Sequence, residues 1–193
     1  MPAFNQLILT TVRLRLRPLV ASDAAALFAI FSDARVMRYW SSVPWTSIDK
    51  AHEMIAKDAT AMAVGEHLRL GMETVDDGRL IGHCSLFNFH AQCQRAEIGY
   101  GMAFDAWGHG YMHEALTVVV SYAITELGLN RIEADIDPRN AASAKTLERL
   151  GFQNEGFLRE RWRVDGEVSD SGFYGLLRRD WLARTPAPPE LRT

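Results

Sequence analysis

The stretch Met102-Ala103-Phe104-Asp105-Ala106-Trp107-Gly108-His109-Gly110-Tyr111-Met112 decides how this chain folds. It follows Ala96-Glu97-Ile98-Gly99-Tyr100, which is typical of a strand. It precedes apolar residues with helical spacing, at positions 116, 119, 120, 123, 124 and 127. Gly108 and Gly110 flank the turn between them, so backbone N–H groups can crowd together there without a Cβ in the way. The N–H groups and dipole of a helix start favour an anion, which makes this turn a candidate phosphate site.

The glycine turn does not match the named nucleotide motifs. A Gly-x-Gly sequence before a helix often only makes a turn. There is no third glycine at the Rossmann spacing and no Gly-Lys-Ser/Thr ending of a triphosphate loop. His109 and His113 lie four residues apart, but neither His-Glu-x-x-His nor a third ligand accompanies them. We therefore expect no metal site.

Composition bounds the class of protein. The 193 residues are 48% hydrophobic and 23% charged, which is ordinary for one globular domain. A net charge of −3 gives no electrostatic footprint for nucleic acid or an anionic membrane. The start of the chain lacks a leader pattern, and no run approaches the roughly 18 apolar residues of a membrane span. We expect a cytoplasmic protein in which Cys84 and Cys93 are reduced, packing thiols.

The rest of the chain alternates between strand and helix patterns. Alternating apolar and basic residues at 12–18 predict a strand whose exposed face carries Arg13, Arg15 and Arg17. The glycine turn would then follow a central strand, where open α/β sheets bind ligands. The other predicted elements are a helix capped by Ser22 or Asp23, a helix from near Ser47, strands at 67–75, 80–89 and 96–104, a strand at 131–136, a helix from Asn140 to Gly151, and strands at 152–164 and 168–177.

Two further segments carry candidate site residues. Tyr39, Trp40 and Trp45 lie in a short loop-like region and either line a substrate pocket or cap the core between two helices. Asn140 is a good N-cap, which explains it structurally. That role still leaves room for the Asn140 side chain or the Ser143 hydroxyl to face a ligand cleft.

These residues resemble a known family. Trp107-Gly108-His109-Gly110 through Leu116 resembles the acetyl-coenzyme A motif of the GNAT acetyltransferase superfamily, and Asn140-x-x-Ser143 through Phe152 resembles its following motif. The segments 13–18, 37–40, 96–100 and 174–181 further resemble the RimJ/RimL-type branch, the ribosomal-protein N-terminal acetyltransferases. The resemblance implies a single acetyltransferase domain at 1–184, followed by a Pro-rich tail at 185–193 that we expect to be disordered.

The resemblance implies the α/β (α+β) GNAT fold. This fold is a mixed, strongly twisted sheet flanked by helices and splayed at its centre, between the strands ending near Met102 and near Ile136. Acetyl-CoA would lie in that opening as the cosubstrate. By position, the backbone of Met102 and Phe104 would pair with the pantetheine arm, and Asn140 would contact the cofactor. The pyrophosphate would bind backbone N–H groups of Gly108, His109, Gly110, Tyr111 and Met112.

The implied activity is acetyl transfer from acetyl-CoA to a primary amine by direct attack in a ternary complex. The leading acceptor is a peptide or protein N-terminal amine. The alternatives are a small amine, such as an amino acid, polyamine or antibiotic, or a non-catalytic CoA-binding sensor. Glu97 is the candidate base, acting through water, unless it is a solvated or salt-bridged strand residue. Relatives of this branch are often dimers, so a homodimer is also expected.

Ser143 is the candidate acid for the departing thiolate, although a serine in the first turn of a helix needs no catalytic role. Three residues depart from the family pattern. Trp107 replaces the usual Gln or Arg, and Met112 replaces a small residue and could narrow the turn. Leu147 stands where many relatives have a tyrosine acid, which shifts that role to Ser143 or leaves the reaction to positioning alone.

Overall fold

The computed structural model describes residues 2–184, in which eight strands form one mixed sheet of order β1-β2-β3-β4-β5-β6-β8-β7. Only the β5–β6 pair is parallel among these strands. The strands are β1 Leu9–Thr10, β2 Leu14–Pro18, β3 Leu68–Thr74, β4 Leu80–His90, β5 Arg95–Met102, β6 Arg131–Ile136, β7 Gln153–Val164 and β8 Glu167–Leu177. The helices are α1 Ala24–Ser32, α2 Ala34–Met37, α3 Asp49–Ala63, α4 Tyr111–Thr125, α5 Ala141–Leu150 and α6 Arg178–Arg184.

The two faces of the sheet carry different side chains because successive residues of a strand point in opposite directions. Leu70, Cys84 and Ile98 lie on the face that packs with α4 and α5 in the larger core. The opposite face lies towards α1, α2 and α3, whose apolar residues form a second, smaller core. His83 of β4 stacks there on Phe31 of α1, with ring centroids 5.2 Å apart.

The sheet opens at its centre, between β5 and β6. These strands pair only at Arg95↔Arg131, Ala96↔Ile132 and Glu97↔Glu133. Both strands continue beyond that pairing, β5 to Met102 and β6 to Ile136. The predicted mixed sheet, splayed at its centre and flanked by helices, is confirmed.

Several local predictions need correction. The strand predicted at 96–104 ends at Met102, and Phe104–Ala106 forms a 3-10 turn. Asp23 does not cap α1, because its carboxylate accepts hydrogen bonds from Arg17 at 2.8 and 3.0 Å and from the Val20 N–H at 2.8 Å. No side-chain cap bond, from Ser22 or from Asp23, occurs at the start of that helix. The short elements β1, α2 and α6 have no counterpart in the sequence predictions.

The remaining predictions concern thiols, the tail and the membrane. Both cysteines are free, but only Cys84 is buried, and Cys93 is exposed in the turn after β4 instead of packing in the core. The predicted tail at 185–193 lies outside the described residues. Within residues 2–184, no helix combines the length and the apolar character needed to cross a bilayer.

Candidate active site

The glycine turn has the geometry of an anion site. Gly108 and Gly110 have φ values of 80° and 79°, in the left-handed region that favours glycine. Helix α4 begins at Tyr111, and the Glu114 N–H donates to the Gly110 carbonyl at 3.1 Å. The N–H groups at positions 111, 112 and 113 precede that bond, so the helix does not use them. The turn therefore fits the pyrophosphate that the sequence predicts there.

Arg13 fixes this turn against β2. Its Nη1 donates to the His109 carbonyl at 2.9 Å, and its Nε donates to Glu114 Oε2 at 2.7 Å. The guanidinium also stacks on the Tyr111 ring, 4.6 Å from the centroid. The sequence places Arg13 on the exposed face of its strand but does not identify these partners. The structure thus places an Arg13–Glu114 ion pair, at 2.6 Å, beside the predicted phosphate site.

Trp107 donates hydrogen bonds to two backbone carbonyls, of Met102 and Phe104, that are predicted to face the pantetheine arm. Its Nε1 donates to the Met102 carbonyl at 2.9 Å, and its backbone N–H donates to the Phe104 carbonyl at 3.2 Å. A carbonyl oxygen has two lone pairs, so each of these groups keeps one acceptor site. Met112 does not narrow the turn, because its buried side chain points into the core, with Sδ 4.0 Å from Cys84 Sγ.

A cleft of about 600 Å³ lies on the opened side of β5. It brings together five of the predicted site residues: Tyr39, Trp40, Glu97, Asn140 and Ser143. Trp45 does not line this cleft. Its ring stacks on Phe31 at a centroid distance of 4.3 Å, as part of the smaller core.

Ser143 forms a hydroxyl pair with Tyr100, a residue that the sequence analysis missed. The Tyr100 Oη and Ser143 Oγ atoms are 2.7 Å apart. Burial raises the pKa of Tyr100, so the phenol stays protonated and can donate to Ser143. The Ser143 backbone N–H donates to Asn140 Oδ1 at 3.1 Å, which confirms Asn140 as the N-cap of α5. With the phenol as donor, the Ser143 proton is available to an acceptor in the cleft.

Glu97 carries a carboxylate without a cationic partner among the described residues. Asn88 lies in a bulge of β4 with a φ of 52°, and its Nδ2 donates to Glu97 Oε1 at 3.0 Å. The other two carboxylates in the cleft form salt bridges, Asp135 with Arg161 and Asp137 with Arg139. Glu97 is therefore the one carboxylate lining the cleft that has no cationic partner within residues 2–184.

The histidines at 109 and 113 are not part of a metal-binding cluster within residues 2–184. Across residues 2–184, no three His, Cys, Asp or Glu side chains are grouped so that they could hold a metal ion. His109 instead stacks on Tyr111, with ring centroids 5.9 Å apart. His113 lies in the first turn of α4, and its Nδ1 is buried.

A family model described as an acetyltransferase (GNAT) domain matches residues 13–153. The chain belongs to the GNAT acetyltransferase family. A Bacillus licheniformis relative named uncharacterized N-acetyltransferase p20 is 35% identical over 90% of this chain and 97% of its own length. An Escherichia coli relative named [ribosomal protein uS5]-alanine N-acetyltransferase is 31% identical over 61% of each chain.

A solved GNAT structure has the same fold. Mycobacterium smegmatis RimJ in complex with CoA-disulfide superposes with a TM-score of 0.82 at 23% identity, covering 95% of this chain and 97% of that one. The GNAT assignment makes this chain an N-acetyltransferase with homologues in the RimJ-like branch. The glycine turn and the opening between β5 and β6 lie within the matched family domain.

Proposed function

We propose that this GNAT protein transfers the acetyl group of acetyl-CoA to a peptide or protein N-terminal amine in a ternary complex. The observation that carries the proposal is the cleft, in which the unpaired carboxylate of Glu97 and the hydroxyl pair of Ser143 and Tyr100 line one cavity. Acetyl transfer needs one group to accept the amine proton and another to stabilise the departing thiolate. The name of the Escherichia coli relative, which specifies a ribosomal-protein alanine, supports a peptide acceptor.

The shape of the acceptor side also favours a peptide. Beyond Tyr39 and Trp40 lies a second depression of about 270 Å³, which shares both aromatic residues and Asp137 with the main cleft. An acceptor could therefore extend from the cleft along the loop after α2 and the β7–β8 hairpin. A single small amine would fill only part of this groove.

The residues divide the chemistry as follows. Glu97 accepts the proton of the acceptor ammonium, through water, and the freed amine forms the new C–N bond as the C–S bond breaks. Ser143 then gives its proton to the thiolate and regains one from the attacking nitrogen, which becomes the neutral amide, while Tyr100 holds the serine oxygen. Asn140 uses Oδ1 as the helix cap, so its Nδ2 is the group left to contact the cosubstrate. The turn at 108–112 holds the pyrophosphate, with the backbone of Met102 and Phe104 along the arm.

The experiment is thiol release from acetyl-CoA with matched acceptors at one concentration. The panel contains short peptides with free N-termini, the same peptides N-acetylated, free amino acids, polyamines and an aminoglycoside antibiotic. We expect release with free-terminus peptides and none with their acetylated forms. Release with small amines alone would reassign the acceptor. CoA binding without release for any amine would support the sensor alternative.

We also propose that a second copy of the chain covers β7. This edge strand exposes Phe157, Leu158 and Trp162, at 54%, 41% and 40% of their surfaces. Exposed apolar edge strands are sites for pairing with another chain. Light scattering should give twice the chain mass, and Phe157→Glu should lower it to a monomer. A parent chain that is monomeric at assay concentration would contradict this assembly.

A further inference from the structure

The floor of the cleft holds a group of buried polar side chains on the face of the sheet that also carries Glu97. They are Arg69 of β3, His83 of β4, and His67, which precedes β3. The His83 side chain is only 2% exposed, and the Arg69 side chain is 14% exposed. Charged and polar groups at such depth need partners, because water cannot solvate them freely.

Hydrogen bonds within residues 2–184 do not satisfy these groups. Both ring nitrogens of His83, Nε2 of His67 and Nε of Arg69 have no hydrogen-bond partner there. The nearest anion is Asp58, whose Oδ2 lies 3.4 Å from Arg69 Nε and is also unpaired by hydrogen-bond geometry. Arg69 Nη1 points at the Met54 sulfur, which is a weak acceptor. The floor therefore presents N–H donors whose natural partner is an oxygen atom.

The cleft has a cationic side chain, Arg69, at one end and an anionic side chain, Glu97, at the other. Burial lowers the pKa of His67 to about 4 and that of His83 well below its usual range, so both rings are neutral at pH 7. Arg69 is the cation of the floor, with the Asp58 carboxylate 3.4 Å from its Nε and outside the cleft lining, and Glu97 supplies the unpaired negative charge on β5. Arg69 on β3 pairs with Ser85 on β4, and Ser85 pairs with Gly99 on β5. Arg69 and Glu97 therefore lie on strands that are separated by one strand and are about 10 Å apart.

We propose that the acceptor carries a carboxylate as well as its amine, and that Arg69 and His83 bind that carboxylate while Glu97 receives the amine. This inference rests on the proposed acetyl transfer and narrows its acceptor. A carboxylate is the group that best matches a guanidinium with buried N–H donors. A polyamine would instead bring a second ammonium group against Arg69. A free amino acid and a peptide with an acidic side chain near its N-terminus both have the required chemistry.

Matched acceptors test the inference. One set is 4-aminobutyrate, 4-aminobutanamide and 1,4-diaminobutane, which differ only in the far group. The other set is a pair of tetrapeptides that differ only by Glu or Gln at the second position. We expect kcat/KM to be about tenfold to a hundredfold higher for the carboxylate member. The set with the higher absolute kcat/KM distinguishes a free amino acid from an acidic peptide.

Variants of Arg69 and Asp58 test whether the floor residues cause the preference for the carboxylate acceptor. Arg69→Gln should remove it, but this change leaves the Asp58 carboxylate buried without a cation, so Arg69→Gln/Asp58→Asn is the paired variant that keeps the floor neutral. Asp58→Asn alone should keep or strengthen the preference, because it frees the guanidinium. Arg15→Gln, on the exposed side of β2 and outside the cleft, is the matched control.

A binding measurement keeps this inference separate from the proposed function. In the presence of CoA, 4-aminobutyrate should raise the melting temperature of the parent and of Arg15→Gln but not of the double variant. If no amine releases thiol, the proposed function fails, and the thermal shift still decides the carboxylate site. Equal kcat/KM across each set, or a preference that survives in both Arg69 variants, would overturn the inference.

Discussion

Removing one oxygen atom from Tyr100 tests whether the tyrosine acts through Ser143. Tyr100→Phe keeps the ring and its packing but deletes the hydrogen bond of 2.7 Å to Ser143 Oγ. A typical protein hydrogen bond contributes about 1 kcal/mol to stability, which corresponds to a loss of about 2–4 °C in Tm for a chain of this size. Without the phenol, Ser143 can turn its own proton away from the cleft. We expect a rate loss of about tenfold, equivalent to about 1.4 kcal/mol.

The assay is single-turnover thiol release for a double-mutant cycle. Ser143→Ala should lower the rate by about a hundredfold at every pH, as loss of a positioned acid does. If Tyr100 acts only by positioning Ser143, the double variant should be no slower than Ser143→Ala. The KM for acetyl-CoA should stay near that of the parent, which separates positioning from general damage to the fold.

Tyr122→Phe is the matched control, because it removes the hydroxyl of another largely buried tyrosine, on α4 and outside the cleft. This variant should keep the parent rate. Losses that multiply in the double variant would show that Tyr100 and Ser143 act independently. A parent-like rate for Tyr100→Phe would refute the reasoning, and the hydrogen bond would then be purely structural.

Three other perturbations address the turn, the base and the floor. Gly110→Asp should abolish the rise in Tm that acetyl-CoA gives, because the added carboxylate would repel the pyrophosphate. Gly110→Ala, which has the same positive φ but no added charge, should keep part of the rise. Equal rises for the parent and the Asp variant would contradict this cofactor placement. Glu97→Gln should slow single turnover most at neutral pH and recover as rising pH deprotonates the amine, so a parent-like pH profile would remove Glu97 as the base. Since the folded pKa of His67 is lowered to about 4, protons bind the unfolded chain more tightly, and stability should fall as pH drops from about 6.5 towards 4. Urea unfolding should show a weaker fall in His67→Gln, and an unchanged slope would argue against a buried neutral ring.

The sequence predicted the long elements because their signals are local. Period-two alternation and the Asp-Gly pairs ending at Gly78 and Gly166 define the hairpins without reference to the rest of the chain. The short elements were missed because tertiary packing creates them. Strand β1 is two residues long and exists through its pairing with β2, and α6 is held by the buried Trp181. Asp23 fits a cap by sequence, but its carboxylate bonds to Arg17 and the Val20 N–H and makes no cap bond to α1.

The site was less predictable than the fold because its residues meet across elements. Alternation along β5 assigns Tyr100 to the same face as the buried Ile98 and Met102, which gives no hint of a role in a cleft. Its hydroxyl reaches Ser143 only because the sheet opens beside β5 and α5 lies across that opening. Arg69 and His83 are similar, since each looks like an ordinary polar strand residue until the depth of the cleft floor is known.

The three departures from the family pattern have physical counterparts in the structure. Trp107 supplies an indole N–H that fixes the Met102 carbonyl at the end of β5. This contact does not need the arginine or glutamine that relatives commonly have at the same position. Met112 directs its bulk into the core, so the backbone N–H groups of the turn remain open. Leu147 is fully buried, and the hydroxyl beside Ser143 comes instead from Tyr100 on another element. A tyrosine hydroxyl can therefore reach the serine of the Asn-x-x-Ser motif from the strand rather than from the helix, because both border the same opening in the sheet.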